Sequence, residues 1–274
     1  MLNRTQLIQQ IKLKKSYLCV GLDPDPQKIP AHFFNYNNPI LEFNKAIIEA
    51  TSDLCVAYKP NVAFFEALGV HGLEILKETR AHIPSDCFTI ADAKRGDIGN
   101  TATMYAKTFL EDLDFDSITV APYMGQDSVE PFLKFQDKWA IVLGLTSNKG
   151  NEDFQRQQIG GAPLYEWVIK KVMQWGTPEN LMFVIGATNE EDFQHIRSFC
   201  PNHFFLVPGV GAQGGDLKKL SQYGLNKDIG LLVNSTRGII YASKGKDFAQ
   251  IAREKVLELN EEMESLMKQY VGLS

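Results

Sequence analysis

The densest group of ionisable side chains at a spacing suited to chemistry lies in Phe88 to Thr101, F-T-I-A-D-A-K-R-G-D-I-G-N-T. Asp92 and Lys94 are two apart in a strand-like run, so alternation turns both to one face, and Asp97 follows in the turn. Two carboxylates around one ammonium keep the lysine protonated, and a protonated lysine in a pocket is a proton donor or an electrostatic clamp. An ordinary ion-pair network is the plain alternative, since it explains most D-x-K patterns. Here Lys59 and Asp23 also end apolar runs and would meet the same rim, which favours chemistry. A second feature is the glycine-rich stretch Pro208 to Asp216, P-G-V-G-A-Q-G-G-D, followed by Arg237 in N-S-T-R-G. Glycine backbone N–H groups can line an anion site and a guanidinium fork suits phosphate. The bland version is a flexible loop beside a solvated arginine; the two features together favour phosphate.

Such residues need a frame. Short runs rich in β-branched or aromatic residues recur at Tyr17 to Asp23, Cys55 to Lys59, Phe88 to Lys94, Ser117 to Pro122, Ala140 to Thr146, Leu181 to Thr188, His203 to Val210 and Gly230 to Thr236. Helical periodicity lies between them, as in Asn61 to Ile83 and Pro163 to Trp175; Met1 to Lys15 reads as an amphipathic helix and Lys246 to Tyr270 closes the chain. Near-continuous apolar strands such as I-V-L-G-L-T imply burial on both faces, hence parallel strands covered by helices. Eight strands suggest closure, so the expected fold is α/β, a (β/α)8 TIM barrel. One domain is expected over residues 1–274, with an N-terminal helix and a long C-terminal helix. The competing open doubly wound sheet would carry a glycine-rich turn after the first strand, where this chain has Asp23-Pro24-Asp25-Pro26. In a barrel the active site lies at the carboxyl ends of the strands, where Asp23, Lys59, Asp92, Lys94, Thr146, Ser147 and Asn234 to Gly238 fall.

Composition narrows the partners. A net charge of −5 supplies no global field for nucleic acid or an anionic membrane, so an anionic ligand must be captured locally. There is no signal-peptide core and no apolar stretch of the roughly 18 residues a membrane span needs, which leads to an expectation of a soluble cytoplasmic protein. Cys19, Cys55, Cys87 and Cys200 lie far apart without C-x-x-C spacing and read as buried reduced thiols. The histidines, His32, His71, His82, His195 and His203, are scattered without metal-ligand spacing, so no metal is expected. Phe33, Phe34 and Tyr36 read as apolar staples at the barrel rim.

The segments D-A-K-R-G-D-I-G-N-T, A-Y-K-P-N and P-G-V-G-A-Q-G-G-D, on three strand ends in this order, resemble the orotidine 5'-phosphate decarboxylase family, in its longer bacterial branch. The resemblance covers nearly the whole chain. It implies a homodimeric barrel with shared active sites that converts orotidine 5'-monophosphate into UMP and CO2, the last step of de novo UMP synthesis, with no metal or organic cofactor. By the same resemblance the lysine and aspartate tetrad falls on Lys59, Asp92, Lys94 and Asp97, with Lys94 as proton donor and Asp97 supplied by the second subunit. Asp23 and Lys59 would contact the ribose, with Thr101 reaching it across the interface. Ser147 would stand beside the pyrimidine and Pro208 at the edge of the base pocket, while Gln213 and Arg237 would hold the phosphate. One departure is visible: Lys149 stands where the family usually has proline, and the loop runs on to Gly161. Two rival readings are a metal-assisted decarboxylase or isomerase of a sugar phosphate, which needs an extra acidic residue at a strand end, and a non-catalytic phosphometabolite binder, which needs no Lys94.

Overall fold

The computed structural model describes residues 2–186, 190–209 and 216–273. Its elements in chain order are α1 (Arg4–Lys14), β1 (Leu18–Leu22), α2 (Pro39–Thr51), β2 (Ala57–Pro60), α3 (Val62–Glu66), α4 (Gly69–His82), β3 (Phe88–Arg95), α5 (Gly99–Lys107), β4 (Ser117–Val120), α6 (Gln126–Leu133), β5 (Trp139–Leu145), α7 (Asn151–Phe154), β6 (Gln158–Ile159), β7 (Ala162–Pro163), α8 (Leu164–Val172), β8 (Leu181–Ile185), α9 (Glu190–Phe199), β9 (Phe204–Pro208), α10 (Leu217–Gly224), β10 (Leu231–Ser235), α11 (Arg237–Ile240) and α12 (Phe248–Val271). Eight strands close into a barrel in the order β1-β10-β9-β8-β5-β4-β3-β2, every pairing parallel. The expected fold class is therefore the observed one.

The strands form where β-branched and aromatic residues can be covered on both faces: Leu18–Leu22, Leu181–Ile185 and Leu231–Ser235 are buried throughout. Phe88 and Trp139 meet edge to face at 6.1 Å in the core. Each such side chain contributes roughly 1.5–3 kcal/mol on leaving water. The amino-terminal end of the barrel is closed by α1, which starts in an Asn3/Gln6 capping box and buries Leu7 and Ile11. Leu2 N–H donates to Asp116 Oδ1 at 3.2 Å, and Arg4 donates to the Pro178 and Asn202 carbonyls at 2.9 and 2.8 Å. The opposite end is thus left to carry the site. At the chain's other end α12 lies across α2, with Phe248 stacked on Phe43 at 5.5 Å and Asn260 donating to the Leu54 carbonyl at 2.8 Å.

Three expectations change in detail. The helix expected over Asn61–Ile83 is two helices, α3 and α4, because the chain turns at Leu68 and Gly69, the latter at φ +68. The run after Ser147 holds a short helix, α7, and the hairpin β6–β7, pinned by Trp167 Nε1 donating to the Ile159 carbonyl at 2.6 Å. Of the three aromatics read as staples, Phe33 is buried against Phe43 and Phe248, whereas Phe34 and Tyr36 are exposed. Periodicity cannot separate these because the 3-10 turn Ala31–Asn35 has a different pitch from an α-helix. All four cysteines are buried and free. No helix among the described residues is long and apolar enough to cross a membrane.

Candidate active site

Four adjacent strands bring the tetrad's core together. Lys59, at the end of β2, donates to Asp92 Oδ2 at 2.6 Å, and Lys94 donates to Asp92 Oδ1 at 2.5 Å. Thr119 on β4 donates its hydroxyl to Asp92 Oδ1 at 3.0 Å and accepts the Lys94 backbone N–H at 2.8 Å. Asp23, just past β1, completes the group from the far side of Lys59.

These neighbours set the charges. Burial alone would push the Asp92 carboxyl up, but Lys59 and Lys94 outweigh it and hold Asp92 at about 2. Burial likewise disfavours the Lys59 ammonium, and Asp92 with Asp23 more than restores it, so its pKa is raised. Asp23 goes the other way: burial raises its pKa and Lys59 only partly offsets that. Its Oδ1 is a buried acceptor with no hydrogen-bond partner among the described residues. Buried polar atoms are almost always paired, and at a cleft wall this oxygen can accept a hydrogen bond from a bound ligand.

The cleft is about 380 Å³, and its walls include Asp23, Lys59, Asp92, Pro208 and Arg237. Gly209, Asn234, Thr236 and Tyr241 close the side formed by β9 and β10. Two local features shape it. A Cβ on Gly21 would fall 1.9 Å from Thr236 Oγ1, so only glycine lets the ends of β1 and β10 approach. The Tyr241 hydroxyl donates to the Asp23 carbonyl at 2.6 Å and accepts the Asp25 N–H at 2.7 Å, which fixes the backbone that carries Asp23.

The other expected residues fall as follows. Lys94 is not among the residues that line this cleft: its side chain is half exposed, 51%, and its ammonium sits on Asp92, which does line it. Ser147 is half-buried past β5 and does not line this cleft. Asp97 and Thr101 sit outside it on the turn and first residues of α5, where Asp97 accepts the Ile98 N–H at 2.8 Å. Gln213 and the rest of Val210 to Gly215 lie outside the described residues. Simple alternation also fails at Lys94: its φ is 47, and β3 slips register against β4 between Ala91 and Arg95. Lys94 reaches Asp92 through a kinked backbone, not along a regular strand. The residues that sequence reasoning missed are Thr119, Asn61 and Tyr241. Asn61 directly follows K-P and bridges to Asp92 in the backbone ladder, so position could have flagged it. Thr119 hides because threonine is an ordinary strand former. Among the described residues, no three His, Cys, Asp or Glu side chains stand together as a set that could hold a metal ion.

The chain is similar to known proteins over nearly its whole length. A model of the Orotidine 5'-phosphate decarboxylase / HUMPS family matches residues 16–251. The orotidine 5'-phosphate decarboxylase of Flavobacterium johnsoniae is 58% identical over 265 residues, 96% of this chain and 97% of its own length. That of Phocaeicola vulgatus is 53% identical, covering 98% of this chain and 100% of its own. Among solved structures, the OMP decarboxylase of Leishmania donovani superposes with a TM-score of 0.83 at 36% identity, over 97% of this chain and 98% of that one. The match spans the closed barrel and every described strand end that builds the cleft, and on that extent the chain belongs to the orotidine 5'-phosphate decarboxylase / HUMPS family.

Proposed function

We propose that this chain, as one barrel domain over residues 1–274, decarboxylates orotidine 5'-monophosphate to UMP and CO2 with Lys94 as the proton donor and no cofactor. The observation that carries the reading is Asp92 held between two ammonium groups, Lys59 and Lys94, one on each carboxylate oxygen. A non-catalytic binder has no use for a charged lysine fixed in this way. Loss of CO2 from C6 of the pyrimidine leaves an electron pair in the ring plane, where the ring delocalises it poorly, so the protein must supply the stabilisation. The Lys94 ammonium, placed at C6, stabilises that charge and then transfers a proton to C6. One charge pair at about 4 Å is worth roughly 4 kcal/mol at an effective dielectric of about 20, against the ~8–23 kcal/mol by which enzymes lower barriers. The remainder comes from binding the remote parts of the nucleotide.

In this reading Asp23 and Lys59 hold the ribose, Pro208 borders the base, Ser147 reaches the pyrimidine once the loop after β5 closes, and Arg237 with Gln213 clamps the phosphate. The unpaired Asp23 Oδ1 supports the ribose assignment, because a sugar hydroxyl supplies the missing donor. The active sites are shared in a homodimer, with Asp97 and Thr101 entering the cleft of the second subunit. The exposure of Ile98, Met104 and Tyr105 beside them supports an interface on this face. Four buried free thiols suit a reducing cytoplasm. The test is loss of the orotate chromophore when purified protein meets orotidine monophosphate after exhaustive chelation. Wild type should turn over, whereas Lys94→Ala should bind UMP normally and lose turnover by at least about a thousandfold. Activity that needs added Mg²⁺, or near-normal turnover by Lys94→Ala, overturns the assignment.

A further inference from the structure

We propose that Thr119 is a positioning residue of this reaction, its hydroxyl fixing both the carboxylate that holds the Lys94 ammonium and the backbone turn that carries Lys94. The inference rests on the reading of Lys94 given above.

The ladder between β3 and β4 is interrupted beside the site. Ile90 and Ala91 pair with Ser117 and Ile118, and the pairing resumes only at Arg95 with Val120. Asp92, Ala93 and Lys94 therefore share Thr119 as their sole counterpart on β4. Lys94 takes the left-handed region, φ 47, to absorb the surplus residues. A backbone N–H in such a bulge has lost its carbonyl partner across the ladder. Here it finds Thr119 Oγ1 at 2.8 Å.

The direction of the relay is forced. A backbone N–H can only donate, and an ionised carboxylate can only accept. Oγ1 must accept from Lys94 and give its single proton to Asp92 Oδ1, 3.0 Å away. Thr119 is 1% exposed, so water cannot readily replace it. Its β-branch restricts χ1, and the hydroxyl is aimed in advance. Asp92 then has each oxygen committed: Oδ2 to Lys59, and Oδ1 to Lys94 and Thr119. The charged groups facing Asp92 are Lys59 from β2, Lys94 from β3 and Asp23 beyond β1, with the Cys19 thiol on β1 behind them. None of these can replace a donor on the β4 side.

Removing the hydroxyl leaves both lysines on Asp92, so nucleotide binding should survive. What is lost is the orientation of the carboxylate and of the Lys94 backbone. In Thr119→Val, kcat on orotidine monophosphate should fall by about ten- to a hundredfold, while the Kd for UMP stays within about threefold. Asp92 loses a donor to its charged form, so the acid limb of the kcat profile should move to higher pH. Thr119→Ser keeps the relay and should recover kcat to within about threefold of wild type. If Thr119→Val does not fold, Thr119→Ala is read against Thr119→Ser in the same way. Wild-type kcat with an unmoved acid limb in Thr119→Val overturns the proposal, and so does a parallel loss of kcat and UMP affinity that Thr119→Ser fails to rescue. A wild-type protein that does not consume orotidine monophosphate refutes the decarboxylase reading itself and this inference with it; an active wild type with an indifferent Thr119→Val refutes this inference alone.

Discussion

The two carboxylates beside Lys59 should answer the same conservative substitution with opposite signs. Asp92 is paired on both oxygens, and its pKa of about 2 lies almost two units below the ordinary carboxylate value near 3.9. At 1.36 kcal/mol per unit, this is roughly 2.5 kcal/mol of stability at neutral pH. Because the folded pKa is the lower one, that stability is present above about pH 4 and disappears as pH falls towards about 2. Asp92→Asn removes it and also strips the nearest counter-charge from a buried ammonium, a change that costs about 3–5 kcal/mol when one partner of a buried pair is deleted. Asp23 is the converse case: its Oδ1 is buried and unpaired, and its pKa is raised. An ionised group in that state destabilises the ligand-free fold at neutral pH. Asp23→Asn relieves it while Lys59 keeps Asp92 at 2.6 Å. The net gain should be about 1 kcal/mol, because the substitution removes the desolvation cost of a buried charge while the unpaired polar atom stays and some attraction to Lys59 is lost.

Thermal unfolding of the ligand-free protein at pH 7 checks this. For a chain of this size 1 kcal/mol moves Tm by about 2–4 °C, so Asp23→Asn should melt a few degrees higher and Asp92→Asn at least about 6 °C lower. The Asp23→Asn advantage should shrink as pH falls through the raised Asp23 pKa and vanish only well below the ordinary carboxylate value of about 3.9, where wild-type Asp23 is protonated in the folded and unfolded states alike. Calorimetry should show the same variant binding UMP more weakly, because the orphan oxygen serves the ligand. If Asp23→Asn melts as far below wild type as Asp92→Asn does, the Asp23 carboxylate is a stabilising member of the network and its assignment to the ribose loses its physical basis.

The remaining predictions concern the phosphate and the dimer. Arg237→Ala and Gln213→Ala should each lower kcat/KM for the nucleotide by about tenfold or more, while the slow reaction of the phosphate-free nucleoside changes little; equal losses on both substrates refute the phosphate clamp. Mixing inactive Asp97→Ala with inactive Lys94→Ala subunits should restore about one quarter of wild-type activity per site, because about half the dimers are mixed and each mixed dimer holds one intact site. Verified heterodimers that stay inactive place both residues in one subunit's site.

The barrel was legible because its signal is repeated. Most of the strands from Leu18–Leu22 to Leu231–Ser235 are short, largely apolar runs covered on both faces, and closure follows from counting such runs between helices. What the pattern could not give is local backbone geometry that departs from the helical or extended period. Gly69 at φ +68 splits one periodic stretch into α3 and α4, and the pair β6–β7, two residues in each strand, is too short to show alternation. Lys94 is the sharpest case. Treating Asp92 and Lys94 as regular strand neighbours places them together by alternation, yet the contact exists because the chain at Lys94 turns into the left-handed region.

The same limit governs the site's chemistry. Asp23 and Asp92 are one residue type at the same end of nearby strands, and the sequence marks both as rim carboxylates. Their electrostatics differ because barrel closure delivers donors unequally. Lys59 from β2, Lys94 from β3 and Thr119 from β4 all meet Asp92, whereas among the described residues no hydrogen-bond donor meets Asp23 Oδ1. Three of those contacts span strands or a bulge, so no spacing rule encodes them. A carboxylate saturated by protein donors is suited to holding a lysine, and one left short of donors is suited to receiving a hydroxyl. The division of labour between the two aspartates therefore follows from which strands flank each of them, a property of the closed barrel that neither residue's sequence neighbours record.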